Sequence, residues 1–362
     1  FHMPPIRKQD RIPNGTVTRE TYTIDSYLGS GGFADVYSVR HQYMGMQAMK
    51  VLRDVRTEES RMQGLTEAFH LSRISHPSII RVFDGNRLEA KHGGHPYLTM
   101  ELIEGGTLDE ALDEDSPHFT RDLIHVAIQL ADALSHAHSM APPIVHRDIK
   151  PTNVLTSRTT TGLLTVRLAD FGLASPIDPN IGFTTGAGTV IYRSPESLDG
   201  FEVPGSDIYS FGLTLYECAS GVLPFKAAMR EAKAESLSEI IKALRDAQIK
   251  RIEPPSYYRH TLHPAIDALV MRCLAHASPH RIQDGTALRL AVEAMRRAVE
   301  GDPTPTLEVR KSLRIAQDPT RSSDALRLMK RSIRQLTASQ AVAYLPFVTF
   351  LSSEFQRIET NP

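Results

Sequence analysis

A glycine run and a short set of polar residues raise the chemical question. "LGSGGFADV" spans residues 28–36 and brings Gly29, Gly31 and Gly32 close together. Without a Cβ, such residues let backbone N–H groups approach a phosphate. They serve ordinary turns between strands equally well, so the cluster leaves both readings open. Downstream, Lys50 ends "AMK", and "HRDIKPTN" supplies His146, Arg147, Asp148, Lys150 and Asn153. "ADFG" follows with Asp170, Phe171 and Gly172, and "GTVIYRSPE" closes at Glu196. Any one of these stretches arises by chance; their order along the chain carries the information.

The elements that must position them show in the hydrophobic pattern. "TYTIDSYL", "VYSVRH" and "QAMKVL" alternate apolar and polar residues and read as strands. "TEESRMQGLTEAFHLSRI" turns helical through Leu65, Ala68, Phe69 and Ser72, and His76-Pro77 ends it. "IIRVFDG" and "PYLTMEL" add two strands joined by "KHGGHP". The first hundred residues therefore predict a five-stranded antiparallel sheet with one main helix. Beyond "EGGTL" the period changes. "TRDLIHVAIQLADALSHAHS" predicts a long helix capped by Thr120, with Leu123, Val126, Ala127, Leu130 and Leu134 as its stripe. Further helices are predicted near 206–220, 229–247, 264–275 and 285–299. The fold class is α+β, with a β-rich lobe followed by a helical one.

Composition narrows the classes. The chain has 362 residues, 41% of them hydrophobic and 23% charged, as in globular proteins. A net charge of −1 argues against bulk capture of nucleic acid. No apolar run is long enough for a membrane span. Two distant cysteines, Cys218 and Cys273, fit buried thiols in a reducing, cytoplasmic setting. The opening "FHMPP" has no leader pattern, and Phe1-His2-Met3 is of cloning-remnant type and is set aside. The 15 histidines are poorly spaced for zinc: His136 and His138 sit two apart on a helix and point to different faces. A dinucleotide fold does not fit either, because the glycine loop joins two antiparallel strands with no helix opening after it.

Taken together and in order, the motifs resemble the eukaryotic-type (Hanks-type) Ser/Thr protein kinases, in a style that looks bacterial. The resemblance covers roughly residues 20–300 and implies a bilobal fold with ATP between the lobes. Residues 21–103 would be the N-lobe and 104–300 the C-lobe, with 1–20 an N-terminal extension. It implies that Leu28, Gly29, Ser30, Gly31, Gly32 and Phe33 form the lid over the phosphates. Val36, Ala48, Met100 and Leu155 would lie around the adenine, with Glu101 and Ile103 binding it through backbone groups. Lys50 would contact the α- and β-phosphates and pair with Glu67, nine residues before His76; Glu58 and Glu59 are the alternatives. Asp170 and Asn153 would hold Mg²⁺ through hard oxygen ligands. Asp148 would orient the acceptor hydroxyl and receive its proton. Lys150, a mark of the Ser/Thr branch, would lie near the γ-phosphate, with Thr189 bridging it to Asp148. Arg147 would pair with a phosphate on Thr184 or Thr185, placed by autophosphorylation. Glu196 and Arg281 match the family's buried ion pair, and Asp207 the aspartate that braces the catalytic loop.

Three positions depart from the pattern. Ala34 stands at the third glycine of the loop, where a positive φ would be disfavoured. Ser194 replaces the usual alanine before Pro-Glu, and Tyr209 the usual tryptophan. "TSRTTTGLLTV" should form an exposed hairpin. Residues 301–362 lie outside the resemblance: 301–320 read as linker, and 324–336 as a basic helix carrying Leu326, Met329, Ile333 and Leu336. Either they pack on the helical lobe, or they form a docking, autoinhibitory or dimer surface. Protein substrates are the implied partners. A scaffold without turnover and a small-molecule phosphotransferase share parts of the pattern. The first would need a missing catalytic position, and the second lacks the "SPE" segment.

Overall fold

The computed structural model describes residues 12–18, 21–30, 34–52, 74–89, 94–171, 190–231 and 236–360. Expectations on Gly31, Gly32, Phe33, Glu67, the helix around it, Thr184, Thr185 and Thr189 lie outside the described residues.

The N-lobe is an antiparallel sheet of β1 (Val17–Thr18), β2 (Tyr22–Ser30), β3 (Ala34–His41), β4 (Gly45–Leu52), β5 (Val82–Arg87) and β6 (Pro96–Glu101), ordered β1-β2-β3-β4-β6-β5. It has six strands rather than the expected five. The additional strand, β1, has two residues on the edge of β2, too few for alternation to register. Strand periodicity separates the faces of β4. Met49 and Val51 join Tyr22, Ile24, Tyr37, Val39 and Tyr97 in a core confined to this lobe. Ala48, one position out of phase, belongs instead to the apolar cluster that continues into the helical lobe. Lys50 shares its face, opposite Val36 on β3 and Leu98 on β6.

The helical lobe begins with α1 (Leu108–Ala111) and α2 (Phe119–His138). Helix α2 starts one residue before Thr120, the expected cap; the N-cap position is His118, whose side chain makes no capping bond. Its stripe of Leu123, Val126, Ala127, Leu130 and Leu134 is buried, as its period requires. A hairpin of β7 (Val154–Arg158) and β8 (Leu164–Leu168) follows, with its tip in solvent. Gln129 of α2 clamps it, donating to Leu164 O (3.0 Å) and accepting from Val166 N (3.0 Å). Next come α3 (Pro195–Leu198), α4 (Pro204–Ser220), α5 (Lys226–Glu231), α6 (Leu237–Gln248), α7 (Pro255–Tyr258), α8 (Pro264–Cys273) and α9 (Gly285–Gly301). The single helix expected at 229–247 is two, α5 and α6, and Ser236 with Glu239 forms a capping box that starts the second.

Residues 301–320 are not a linker throughout. Leu307–Ala316 form α10, capped by Thr306, whose side chain accepts from Val309 N. Helices α11 (Ser322–Ser332) and α12 (Ala338–Thr360) complete the chain. Val309, Leu313, Met329, Tyr344, Phe347, Phe350 and Leu351 are buried in the same core as α8 and α9. The C-terminal helices thus pack on the helical lobe.

Candidate active site

Asp207 organises the catalytic loop from the N-terminal turn of α4, where it is fully buried. Its Oδ2 accepts from His146 N (2.6 Å) and its Oδ1 from Arg147 N (2.8 Å). Arg147 sits at φ 72°, a left-handed conformation that side chains beyond glycine rarely adopt. Two charge-assisted bonds from adjacent amides hold it there. His138, at the end of α2, also bonds Asp207 Oδ2 (3.0 Å). Gly285 N donates to His138 Nδ1 (2.9 Å), which leaves Nε2 to donate to the carboxylate. Glycine is required at 285: a Cβ there would lie 2.3 Å from the backbone of Leu134 and Ser135. His146 is buried, packs at a tilt against Phe171 with ring centroids 4.3 Å apart, and bonds Ala169 O (2.8 Å). Burial holds its imidazole below the usual histidine range.

Past this anchor the chain turns through a 3-10 segment, Pro151–Asn153, that folds Asn153 back on Asp148. Asn153 Nδ2 donates to Asp148 O (2.7 Å) and Oδ2 (2.8 Å). Donation to a carbonyl fixes the amide orientation and directs Asn153 Oδ1 away from Asp148, where a hard cation would find it. Lys150 Nζ reaches both Asp148 oxygens, at 3.2 and 2.9 Å. Asp170 follows β8 at φ 64°, and its Oδ1 lies 2.6 Å from Lys50 Nζ. Burial alone would raise the Asp170 carboxyl; the Lys50 ammonium outweighs it and holds the group below its ordinary value. Among the described residues Lys50 takes Oδ1 and no bond falls on Oδ2, the oxygen that would take a metal. Glu67, the expected partner of Lys50, lies outside the described residues; Asp170 takes an oxygen-to-nitrogen contact with Lys50 that spacing did not suggest.

The described residues expected around a nucleotide come from β2, β3, β4, β6, the connection after it, and β7. Gly105 lets the strand-to-helix connection run against β7: a Cβ there would meet Thr156 O at 1.8 Å. Thr156 donates from N (2.9 Å) and Oγ1 (3.0 Å) to Gly106 O, and Thr107 pairs with Leu155. Leu155 is thereby held under the connection, in the apolar cluster with Val36, Ala48, Met100 and Ile103. Leu28 is 51% exposed at the cleft rim. Gly29 and Ser30 end β2 opposite Val36 and Asp35. The Glu101 side chain accepts from Arg81 N (3.0 Å) and pairs with Arg167 (3.3 Å), which fixes the end of β6. Lys50, Asp170 Oδ2 and Asn153 Oδ1 supply a cation and two hard oxygens, the donor set that Mg²⁺ with a polyphosphate needs.

Below the cleft, Arg281 spends its five N–H donors on Glu196 (2.6 and 3.1 Å), Gly205 O, Ala275 O and His276 O. Its guanidinium also lies over the Tyr209 ring, at 4.9 Å from the centroid, so tyrosine serves where tryptophan was expected. Burial would raise Glu196, and its bonds to Arg281 reverse the shift. Ser194 Oγ accepts from Ser197 N (3.2 Å) and caps α3, a role alanine could not fill. Ala34 is buried and begins β3; among the described residues, positive φ outside glycine is confined to Arg147 and Asp170, so the loop departure carries no backbone strain there.

The model of the protein kinase domain matches residues 22–294. This chain belongs to the protein kinase family. Among curated relatives, the serine/threonine-protein kinase PknB of Mycobacterium leprae is 31% identical over 277 residues, 75% of this chain and 42% of that protein. PknB of Mycobacterium tuberculosis is 32% identical over 278 residues, again 75% and 42%. A probable serine/threonine-protein kinase of Clostridium acetobutylicum is 30% identical over 280 residues, 76% of this chain and 40% of that protein. These relatives are bacterial, and the kinase chain spans about two fifths of their length. Among its described residues no helix is long and apolar enough to cross a membrane, and no group of three or more histidine, cysteine, aspartate or glutamate side chains is arranged to hold a metal by itself. The bracing of Asp207 by His138 and the full burial of Arg272 have no signal in the sequence pattern. His138 was weighed as a metal ligand; its partner Asp207 lies 69 residues away, beyond any local signal.

Proposed function

We propose that this kinase domain transfers the γ-phosphate of ATP to Ser or Thr hydroxyls of protein substrates. The observation that carries the reading is Asp148, held by Lys150 and Asn153, facing the same cleft as the Lys50–Asp170 pair. Mg²⁺, held by Asp170 and Asn153, would neutralise phosphate charge during transfer. Lys50 positions the phosphates, and Lys150 offsets charge near the transferred group. Asp148 orients the acceptor hydroxyl and takes its proton. The Ser/Thr-type relatives and Lys150 support the choice of acceptor. Two free cysteines, each with its thiol pushed up by burial, fit a cytoplasmic site of action.

Turnover of ATP with a generic protein substrate tests this. Asp148→Asn should cut kcat about a hundred- to ten-thousand-fold while nucleotide binding persists. Equal, background-level turnover in both proteins would favour a nucleotide-binding scaffold.

Autophosphorylation of Thr184 or Thr185, paired with Arg147, belongs to the same proposal. Arg147 Nε is buried with no hydrogen-bond partner among the described residues, a donor suited to a phosphate. Phosphopeptide mapping after incubation with ATP should find one of these threonines modified. Thr189 should stay unmodified in that mapping, and Thr189→Ala should lose activity even after wild-type kinase has phosphorylated Thr184 or Thr185, as loss of a bridge between Asp148 and Lys150 would.

A further inference from the structure

The loop between α8 and α9 carries Arg281, and with it the hold on Glu196 at the start of α3. Because all five side-chain donors of Arg281 are committed, the place of its backbone sets the place of Glu196. That backbone is gripped from outside by the last turns of α12. Arg357 Nη1 donates to Pro279 O (2.7 Å) and Nη2 to Arg281 O (3.0 Å). Arg357 is itself oriented by Glu354, through Nε to Oε1 (3.1 Å) and Nη2 to Oε2 (2.9 Å). Glu354 Oε2 also accepts from Arg272 Nη2 (2.9 Å), deep in α8. Arg272 is fully buried, bonds Ser322 Oγ (3.1 Å), and lies over the Phe350 ring at 5.0 Å. Glu196 Oε1 also accepts from Ser206 Oγ (2.9 Å), the neighbour of Asp207, so the run Glu196–Arg281–Arg357–Glu354–Arg272 is continuous from the anchor of the 146–153 loop to the C-terminal helices.

We infer that Arg357 and Glu354 are positioning residues for the protein-substrate side of the kinase cleft, acting through the Arg281 loop on Glu196. The inference rests on the kinase reading for its kinetic consequence, but its structural half stands apart from catalysis. The C-terminal helices are by this account part of the phosphotransfer machinery's support. In the proposed mode ATP is held by β2–β4 and the catalytic loop, while the Arg357 bonds given above end on Pro279 O, Arg281 O and Glu354, so nucleotide binding should be spared.

The test compares the full chain with Arg357→Ala and Arg357→Lys. In Arg357→Ala, amide exchange should rise over 275–283 and 190–200 and stay unchanged in the 154–168 hairpin. KM for the protein substrate should rise about fivefold or more, as for a coupling between distinct sites, while KM for ATP holds. Lysine keeps one donor group near the two carbonyls and should recover most of the loss. A folded Arg357→Ala protein with unchanged exchange over 190–200 overturns the inference. So does a parallel rise of both KM values, which general loosening would give. If Arg357→Ala does not fold, Glu354→Gln, which weakens the hold that orients Arg357, carries the same readouts, and unchanged exchange over 190–200 in it overturns the inference. If the wild-type chain transfers no phosphate, the kinase reading fails and exchange alone decides this one.

Discussion

Asp267 and His263 flank the first turn of α8, and burial drives them in opposite directions. The His263 ring is neutralised by burial, with its pKa lowered to about 4 from 6.5; its Nε2 donates to Asp302 O (3.1 Å) and its Nδ1 accepts from Ala265 N. Its contribution to stability is present above pH 6.5 and lost as the pH falls toward 4. Asp267 is raised to about 6 from 3.8, since burial outweighs its bond from Ser256 N (3.0 Å). Its contribution is present below pH 3.8 and lost as the pH rises through 6. Between those limits the two slopes oppose each other, each on the order of 2–3 kcal/mol. Asp267→Asn keeps the acceptor for Ser256 and removes the charge. It should raise the melting temperature at pH 8, leave it nearly unchanged at pH 4, and expose the acid loss due to His263. A variant no more stable than wild type at pH 8 would contradict the assignment. The catalytic residues themselves were legible as types and order. Their bond partners were not, because a carboxylate such as Asp207 is chosen by helices that meet across the fold.

At the scale of elements, the contact of α2 with α9 leaves no room for a side chain at Gly285. Gly285→Ala would force a Cβ into the α2 backbone and draw the Gly285 N–H away from His138. Overpacking of this kind costs about 1–3 kcal/mol, with backbone on the receiving side placing it at the upper end. Urea unfolding should show the lower midpoint, and kcat should fall as the Asp207 brace loosens. Periodicity located α2 and α9 because each buries one regular stripe, while α4 and α8, buried nearly all round, showed as long apolar runs. It passed over α10, where Asp302, Pro303 and Pro305 read as loop. Val309, Leu313 and Ala316 do keep helical spacing behind the Thr306 cap, so a signal was present beneath the prolines. Strand β1 left none.

For the whole molecule, the buried Arg272–Glu354 pair joins α8 to α12. Burial lowers the Arg272 pKa, and Glu354 works against that shift. Glu354→Ala leaves a cation without its partner in a site of 0% exposure and should cost about 3–5 kcal/mol. The double variant Arg272→Met with Glu354→Leu, which removes both charges, should regain most of that in urea unfolding. Removing residues 302–360 should be worse than either. It would strip the cover from Arg272 and expose core that α8 and α9 share with Val309, Leu313, Tyr344 and Phe347.

The sequence by itself determined the family, the α+β class, the order of the lobes and which residues are candidates for catalysis. Those features are carried by local period and by motifs whose residues lie within a few positions of one another. Tertiary structure alone decided that Lys50 meets Asp170, that His138 and Gly285 brace Asp207, and that α10–α12 close the helical lobe. Each of these joins residues distant in the chain, and no local propensity encodes which buried carboxylate a given cation will reach once the helices pack.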